Sequence, residues 1–138
     1  MTGLENNDIL VIGGGIGGLT MALSLHRRGI PCRVFETASD FQTLGVGINM
    51  MPHAIRVLST LGLEENLKRF GVEAQEFAYF NRHGQEIFTE PCGQFAGYKY
   101  PHFSIHRADL HRVLYEAAVD RLGPNAVCLG HTCIGVEQ

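Results

Sequence analysis

Three glycines with the spacing Gly13-x-Gly15-x-x-Gly18 carry the clearest chemical signal in this sequence of 138 residues. They lie between an apolar run that predicts a strand and a run that predicts a helix, the context in which this motif binds a dinucleotide. The first glycine permits a tight turn, the second lets the backbone approach a pyrophosphate, and the third allows the helix to pack on the sheet. The helix N-terminus then forms an anion site without a basic side chain.

Glu36 follows at the end of the second predicted strand, where a carboxylate can accept hydrogen bonds from both hydroxyls of a ribose. An acid there also argues against a 2′-phosphate, and so against NADP in this site. Ala22 and Gly29 fall where close helix packing and the return to the strand require small residues. Dinucleotide binding is therefore favoured over a structural glycine loop, with a merely solvated Glu36 as the alternative.

The elements around these residues predict an α/β fold. Ile9–Ile12 is a continuous apolar run typical of a strand buried on both faces of a parallel sheet. A helix from Ile16 to Arg28, ending at Gly29, and a strand at Cys32–Glu36 complete a right-handed βαβ unit. A glycine-rich loop follows that unit.

The remaining chain predicts further elements of both kinds. A helix opens at Pro52 and stops at Gly62, and a second runs from about Ala108 to Leu122 before Gly123–Pro124. Between them, alternation predicts an antiparallel hairpin. Its strands are Phe77–Phe80 and Glu86–Phe88, and the chain closes with short strands at Ala126–Leu129 and Thr132–Glu137.

Composition excludes several classes of protein. A net charge of −3 without a cluster of Lys and Arg predicts no nucleic-acid partner, and the glycine-broken apolar run near the start predicts no integral membrane segment. The four cysteines lack metal-ligand spacing, which predicts reduced thiols and a cytoplasmic location. The spacing of His102, His106 and His111 fits no zinc pattern, so we predict no metal site.

Three separated motifs carry a family resemblance. The positions Gly13, Gly15, Gly18, Ala22, Gly29 and Glu36 resemble the FAD fingerprint of glutathione-reductase-type flavoproteins. The segments Leu44–Pro52 and Ser104–His111 resemble the single-component FAD-dependent aromatic hydroxylases, the group of salicylate, 3-hydroxybenzoate and 4-hydroxybenzoate hydroxylases. The similarity is closest to phenazine-modifying members, through Leu44–Asn49, Glu90–Pro91 and Tyr100–Arg107.

The resemblance implies roles for individual residues. Gly13 to Gly18 would hold the FAD pyrophosphate, Glu36 the adenosine ribose, and the backbone near Leu129 the adenine edge. Arg107 would contact the ribityl–pyrophosphate region. Ile16 and Gly17 belong to the predicted pyrophosphate-binding loop. The isoalloxazine would lie along Gly45, Val46 and Gly47.

The implied fold is a Rossmann-like FAD-binding domain with an inserted hairpin that belongs to a substrate domain. The expected division is 1–75 and 104–138 for the FAD-binding domain and 76–103 for strands of the substrate domain. The family is two to three times longer, so the chain is expected to be the N-terminal portion of a larger protein and inactive alone.

The implied activity is hydroxylation of an aromatic ring with O₂ and NADH or NADPH, through a C4a-hydroperoxyflavin. The sequence identifies no catalytic acid or base and no particular substrate. It also indicates no preference between NADH and NADPH, and it leaves the question of self-association open. A non-catalytic dinucleotide-binding fragment and another FAD-dependent oxidoreductase, a dehydrogenase or reductase, stay as alternatives.

Overall fold

The computed structural model describes residues 9–41 and 45–137, which form α-helices and β-strands in mixed order. The described residues fall into two compact units, the first comprising 9–41 and 110–137 and the second comprising 45–109. The elements in chain order are β1 (Ile9–Ile12), α1 (Ile16–Arg27), β2 (Cys32–Phe35), β3 (Gly47–Met50), α2 (Pro52–Thr60), α3 (Glu64–Phe70), β4 (Val72–Glu73), β5 (Glu76–Phe80), β6 (Glu86–Pro91), a 3₁₀ helix (Gly93–Ala96), β7 (Phe103–His106), α4 (Arg107–Leu122) and β8 (Val127–Cys128).

The first compact unit contains the β1-α1-β2 arrangement, strand β8 and most of α4. Strands β1 and β2 pair in parallel through α1, with Ile9 opposite Cys32 and Ile12 opposite Phe35. Strand β8 pairs in parallel with the other edge of β2, which gives the order β1-β2-β8. Helix α1 ends before Gly29, whose φ of +69° a residue without Cβ adopts freely.

The core of the first unit lies between this sheet and the helices. Fully buried side chains come from α1, β2 and α4, namely Leu19, Ala22, Leu23, Val34, Leu110, Leu114 and Ala118. The prediction that Ile9–Ile12 is buried on both faces is wrong, because Ile12 is 58% exposed. Strand β1 stands at the edge of the described sheet and pairs only with β2 there.

Two antiparallel sheets form the second unit. In the first sheet β7 is central, between β3 and β4, with Gly47 opposite His106 and Met50 opposite Phe103. The second sheet is the β5–β6 hairpin, which occurs where alternation predicts one and has an irregularity at Tyr79/Phe80. Asn81 stabilises its turn, because the side-chain oxygen accepts the backbone N–H groups of His83 and Gln85.

Several elements differ from those that the sequence analysis predicts. The predicted strand Thr132–Glu137 is absent, since residues 131–137 join no ladder of the described chain and Ile134 is 98% exposed. Gly47–Met50 is a strand, although the sequence analysis interpreted it as part of a glycine-rich loop. The sequence analysis also did not predict α3, β4 and β7. The predicted strand Ala126–Leu129 is shorter, since only Val127–Cys128 pairs.

None of the helices in the described ranges is long and apolar enough to cross a membrane.

Candidate functional site

The turn between β1 and α1 depends on two of its glycines. Gly13 has a φ of +103° and donates its N–H to the Phe35 carbonyl at 2.8 Å, which ties the turn to the end of β2. A Cβ on Gly18 would overlap the Gly13 carbonyl oxygen. The first and third glycines of the motif are therefore required by backbone conformation and helix packing, as the spacing predicts.

The start of α1 offers an open anion site. Gly15 precedes the helix, and no side chain of the described residues caps it. Among the described residues, a Cβ on Gly15 or Gly17 would meet no atom within 4 Å. Because the first N–H groups of a helix have no intrahelical acceptor, Ile16 and its neighbours can donate to a phosphate here.

Glu36 lies directly beside this turn. Its Oε2 accepts the Gly14 N–H at 2.6 Å, and its Oε1 accepts the Ala38 N–H at 2.9 Å. The hydrogen bonds from Ala38 and then Gly14 lower the pKa of Glu36 below its ordinary value of 4.5, so the side chain is a carboxylate at neutral pH. Since a carboxylate has about four acceptor positions, each oxygen can still accept one hydroxyl.

His111 contacts the same peptide from the other side and was not identified as a site residue from the sequence. Its Nε2 donates to the Gly14 carbonyl at 2.7 Å. Phe41 packs against the imidazole with ring centroids 4.3 Å apart, and Tyr115 packs against Phe41 at 4.9 Å. Gly14 is thus held by Glu36 through its N–H and by His111 through its carbonyl. The contact joins residues 97 positions apart, so no local spacing could indicate it.

Leu129 lies in a segment that bonds to the residues around Glu36. The His131 N–H donates to the Glu36 carbonyl at 2.8 Å, and the Gly130 N–H donates to the Ala38 carbonyl at 2.9 Å. The Leu129 carbonyl itself accepts from His131 Nδ1 at 2.7 Å. The first unit therefore brings together the glycine turn, Glu36 and Leu129.

The second unit brings together the other predicted group, Gly45, Val46, Gly47 and Arg107. The Arg107 N–H donates to the Val46 carbonyl at 3.1 Å, and a Cβ on Gly45 would lie 3.2 Å from the Arg107 Cβ. Close packing against the start of α4 thus explains Gly45, whereas Gly47 faces open space. Arg107 is exposed and forms no ion pair within the described residues.

Comparison with known proteins gives the family of this chain. Residues 6–129 match the family described as FAD binding domain. The chain belongs to the FAD-binding domain family. The matched range includes the glycine turn, Glu36, Arg107 and Leu129, and family membership supports FAD as the cofactor.

Named relatives of this FAD-binding domain include two bacterial enzymes. Phenazine 1,6-dicarboxylic acid hydroxylase PhzS of Lysobacter antibioticus is 44% identical over 99% of this chain and 36% of its own length. 3-Amino-4-hydroxybenzoate 2-monooxygenase of Streptomyces cremeus is 41% identical over 94% of this chain and 33% of its own length. The chain thus spans about a third of the curated relatives that it matches.

A solved structure shares the fold. The crystal structure of p-nitrophenol 4-monooxygenase PnpA from Pseudomonas putida DLL-E4 superposes with a TM-score of 0.85, covering 96% of this chain and 34% of that one, at 24% identity. The α/β fold of this FAD-binding domain is therefore the fold of FAD-binding monooxygenase structures.

The residues of the first unit fit FAD. Atoms of the described residues leave the Cβ positions of Gly15 and Gly17 open, which suits a pyrophosphate at the helix N-terminus. Glu36 is ionised and retains acceptor positions for ribose hydroxyls. The described part of the chain holds no group of three His, Cys, Asp or Glu side chains placed to bind an ion.

Proposed function

We propose that this chain is the FAD-binding part of a flavoprotein monooxygenase that hydroxylates an aromatic ring using O₂ and NADH or NADPH. The observation that carries the proposal is the joint arrangement of Gly13, Gly14, Gly18 and Glu36, an open helix N-terminus beside an ionised carboxylate. The names of the relatives, a phenazine hydroxylase and an aminohydroxybenzoate monooxygenase, supply the reaction class.

Within the first unit we assign the pyrophosphate to Gly13–Gly18, including the N–H groups of Ile16 and Gly17. Glu36 accepts hydrogen bonds from the adenosine ribose, and the backbone at Leu129 contacts the adenine edge. The anionic phosphates are stabilised by the helix dipole and by unpaired N–H groups rather than by a basic side chain. His111 and Phe41 hold the Gly14 peptide in place for this task.

Within the second unit we assign the isoalloxazine to Gly45, Val46 and Gly47 and the ribityl–pyrophosphate region to Arg107. The open space at Gly47 and the free guanidinium charge of Arg107 support this assignment. When bound, FAD supplies the redox chemistry, taking electrons from the nicotinamide and activating O₂. The protein contributes binding, orientation and exclusion of water.

The finer fold assignment belongs to the same proposal. The parallel β1-α1-β2 unit supports a Rossmann-like domain of glutathione-reductase type, and the antiparallel β5–β6 hairpin supports a substrate domain made from 76–103. We further propose a cytoplasmic location, supported by four free thiols. A non-catalytic dinucleotide-binding role or a dehydrogenase is not favoured, because the named relatives are hydroxylases and monooxygenases.

Purification of the protein at its natural length tests the proposal. We expect a yellow protein that releases FAD on denaturation and oxidises NADH or NADPH faster when an aromatic acid is added, with hydroxylated product. Residues 1–138 expressed alone should bind FAD without this turnover. A colourless protein that takes up no added FAD would contradict FAD binding, and a yellow protein that forms no hydroxylated product with any aromatic acid would contradict the reaction class.

A further inference from the structure

One face of the antiparallel sheet in the second unit is polar around Gly47. Side chains alternate along β3 and β7, and the buried face carries Met50, Phe103 and Ile105. The opposite face presents four exposed positions, namely Gly47, Asn49, Ser104 and His106. Because Gly47 is among the residues proposed to hold the isoalloxazine, a polar side chain beside it is a candidate to contact that ring.

His106 is the polar residue nearest to these glycines. It is directly opposite Gly47 in the pairing of β3 with β7. Cross-strand partners carry their side chains on the same face, so the imidazole lies on the face of Gly47. A Cβ on Gly45 would lie 3.6 Å from the His106 Cε1. The imidazole therefore adjoins both glycines of this segment.

Only one ring nitrogen of His106 has a partner in the described part of the chain. The Ala108 N–H donates to Nδ1 at 3.3 Å, at the start of α4. Because Nδ1 accepts this bond, the proton of the neutral imidazole lies on Nε2. None of the hydrogen bonds among the described residues uses Nε2, so this N–H is available to a ligand.

The other polar side chains of this face are paired with each other. The Ser104 hydroxyl donates to Asn49 Oδ1 at 2.8 Å, which uses its only proton. Asn49 lies two residues beyond Gly47 along β3, whereas His106 is opposite it. His106 is therefore the better placed of these residues to donate a hydrogen bond at Gly47.

The position of His106 also favours an acceptor that gains negative charge. It directly precedes α4, whose N-terminal end is the positive end of the helix dipole. Asp109 lies in the first turn and is half-buried, whereas His106 and Arg107 are exposed. An isoalloxazine has its hydrogen-bond acceptors on the pyrimidine half of the ring, and hydrogen bonds there tune its redox properties.

We propose that His106 Nε2 donates a hydrogen bond to the pyrimidine half of the FAD isoalloxazine. The inference rests on the proposed placement of the ring at Gly45–Gly47 and goes beyond it, because it assigns the end of the ring that adjoins β7. A hydrogen bond to a charged acceptor is about twice as strong as one to a neutral acceptor. His106 therefore binds reduced flavin more strongly than oxidised flavin and raises the midpoint potential.

Two substitutions separate this hydrogen bond from the structural contact at Nδ1. His106→Thr keeps a short side-chain acceptor for the Ala108 N–H and suits a strand and a helix cap, but it has no group at the position of Nε2. His106→Gln places an amide N–H near that position and gives up the acceptor at Nδ1. His83→Thr, on the exposed hairpin turn of the same unit, is the control.

Three quantities are measured on the protein at its natural length: the Kd for oxidised FAD, the midpoint potential of the FAD-loaded protein, and thermal unfolding of the apoprotein. We expect His106→Thr to weaken oxidised FAD by about threefold. Two-electron-reduced FAD should be weakened about tenfold more than oxidised FAD, which lowers the midpoint potential by about 30 mV. Thermal unfolding should stay unchanged.

His106→Gln should show the opposite pattern, with the potential retained and the unfolding temperature lowered, and His83→Thr should change none of the three quantities. An unchanged potential in His106→Thr, or an equal fall in the threonine and glutamine variants, overturns the inference while FAD binding stands. An unmutated protein that binds no FAD defeats the proposed function instead.

Discussion

At the scale of single residues, the observed role of Glu36 in the turn and its proposed role at the ribose use different lone pairs of the carboxylate. Two backbone N–H groups, from Gly14 and Ala38, occupy one position on each carboxylate oxygen. They orient the side chain before any ligand arrives, so less side-chain freedom is lost when a ribose binds. Removing the charge must therefore weaken both the turn and the cofactor site.

Glu36→Gln should raise the Kd for FAD by about tenfold or more, because charge-assisted hydrogen bonds to the ribose are replaced by weaker neutral ones. The single amide oxygen can also no longer accept both backbone N–H groups at full strength. Titration of the apoprotein with FAD measures the change. Glu116→Gln, on the exposed surface of α4, is the matched control and should bind like the unmutated protein. Equal affinity of the two variants would mean that Glu36 does not contact the cofactor.

The lowered pKa of Glu36 also predicts a pH dependence of stability. Because the folded-state pKa lies below the ordinary value of 4.5, the stabilisation is complete above that value and is lost as the pH falls through the folded-state pKa. The difference in unfolding free energy between the unmutated protein and Glu36→Gln should therefore shrink from about pH 6 to about pH 3. Urea unfolding at several pH values measures it, and a difference that grows on acidification would contradict the assignment.

Because His111 holds the Gly14 carbonyl, we expect it to act on the proposed cofactor site as a positioning residue. His111→Ala should raise the Kd for FAD by about three- to tenfold, the range for one lost hydrogen bond. His111→Gln keeps a side-chain N–H donor and should recover most of the affinity. His26→Ala, on the exposed end of α1, is the control and should change nothing. If alanine and glutamine at position 111 weaken FAD equally, the hydrogen bond to Gly14 is not the cause.

At the scale of elements, Gly17 and Gly18 of α1 differ in the space around them, because only Gly18 packs against the turn that precedes the helix. Gly18→Ala should lower the free energy of unfolding by about 1–3 kcal/mol, because the new Cβ meets the Gly13 carbonyl. Gly17→Ala places its Cβ in open space and should raise stability by at most about 1 kcal/mol through helix propensity. Chemical unfolding of the two apoproteins compares them directly. Equal stabilities would show that the helix does not pack this closely on the turn.

The elements that sequence predicted correctly have signals within a few residues. The glycine turn, α1 and the parallel pairing of β2 follow from glycines at fixed spacing and from short apolar runs. Gly47–Met50 was read as a loop because glycine is depleted in strands, but pairing with β7 decides its conformation. Thr132–Glu137 shows the opposite error, since alternation alone does not form a strand without a neighbouring one.

The residues of the candidate site also fall into those that local sequence signals indicate and those that only the tertiary structure reveals. Glu36 could be found from the motif because its distance from the glycines is set by one βαβ unit. The sequence could not indicate the roles of His111 and Phe41, because only tertiary packing brings these side chains to the glycine turn. The same holds for His102, whose Nε2 has no hydrogen-bond partner among the described residues. The sequence analysis considered His111 only as a metal ligand and predicted no metal site, and the structure shows a hydrogen bond from His111 to the Gly14 carbonyl.

At the scale of the whole molecule, the β5–β6 hairpin carries several large apolar side chains that remain exposed to solvent. Tyr79, Phe80, Ile87 and Phe88 are each more than half exposed, and in the described chain this sheet has only two strands. A two-stranded sheet is marginal in water unless its apolar face packs against something. Exposed apolar side chains on a marginal sheet favour association.

We therefore expect residues 1–138, expressed alone, to self-associate as the protein concentration rises. Ile87→Thr should reduce this association, because it removes part of the exposed apolar surface while keeping a residue that favours strands. Ile134→Thr makes the same chemical change at a residue that is 98% exposed in the first unit and should leave association unchanged. Sedimentation velocity over about a hundredfold range of concentration separates the two variants, since weak association is governed by mass action. Equal sedimentation of both variants and the unmutated chain would show that the hairpin face is not where copies meet.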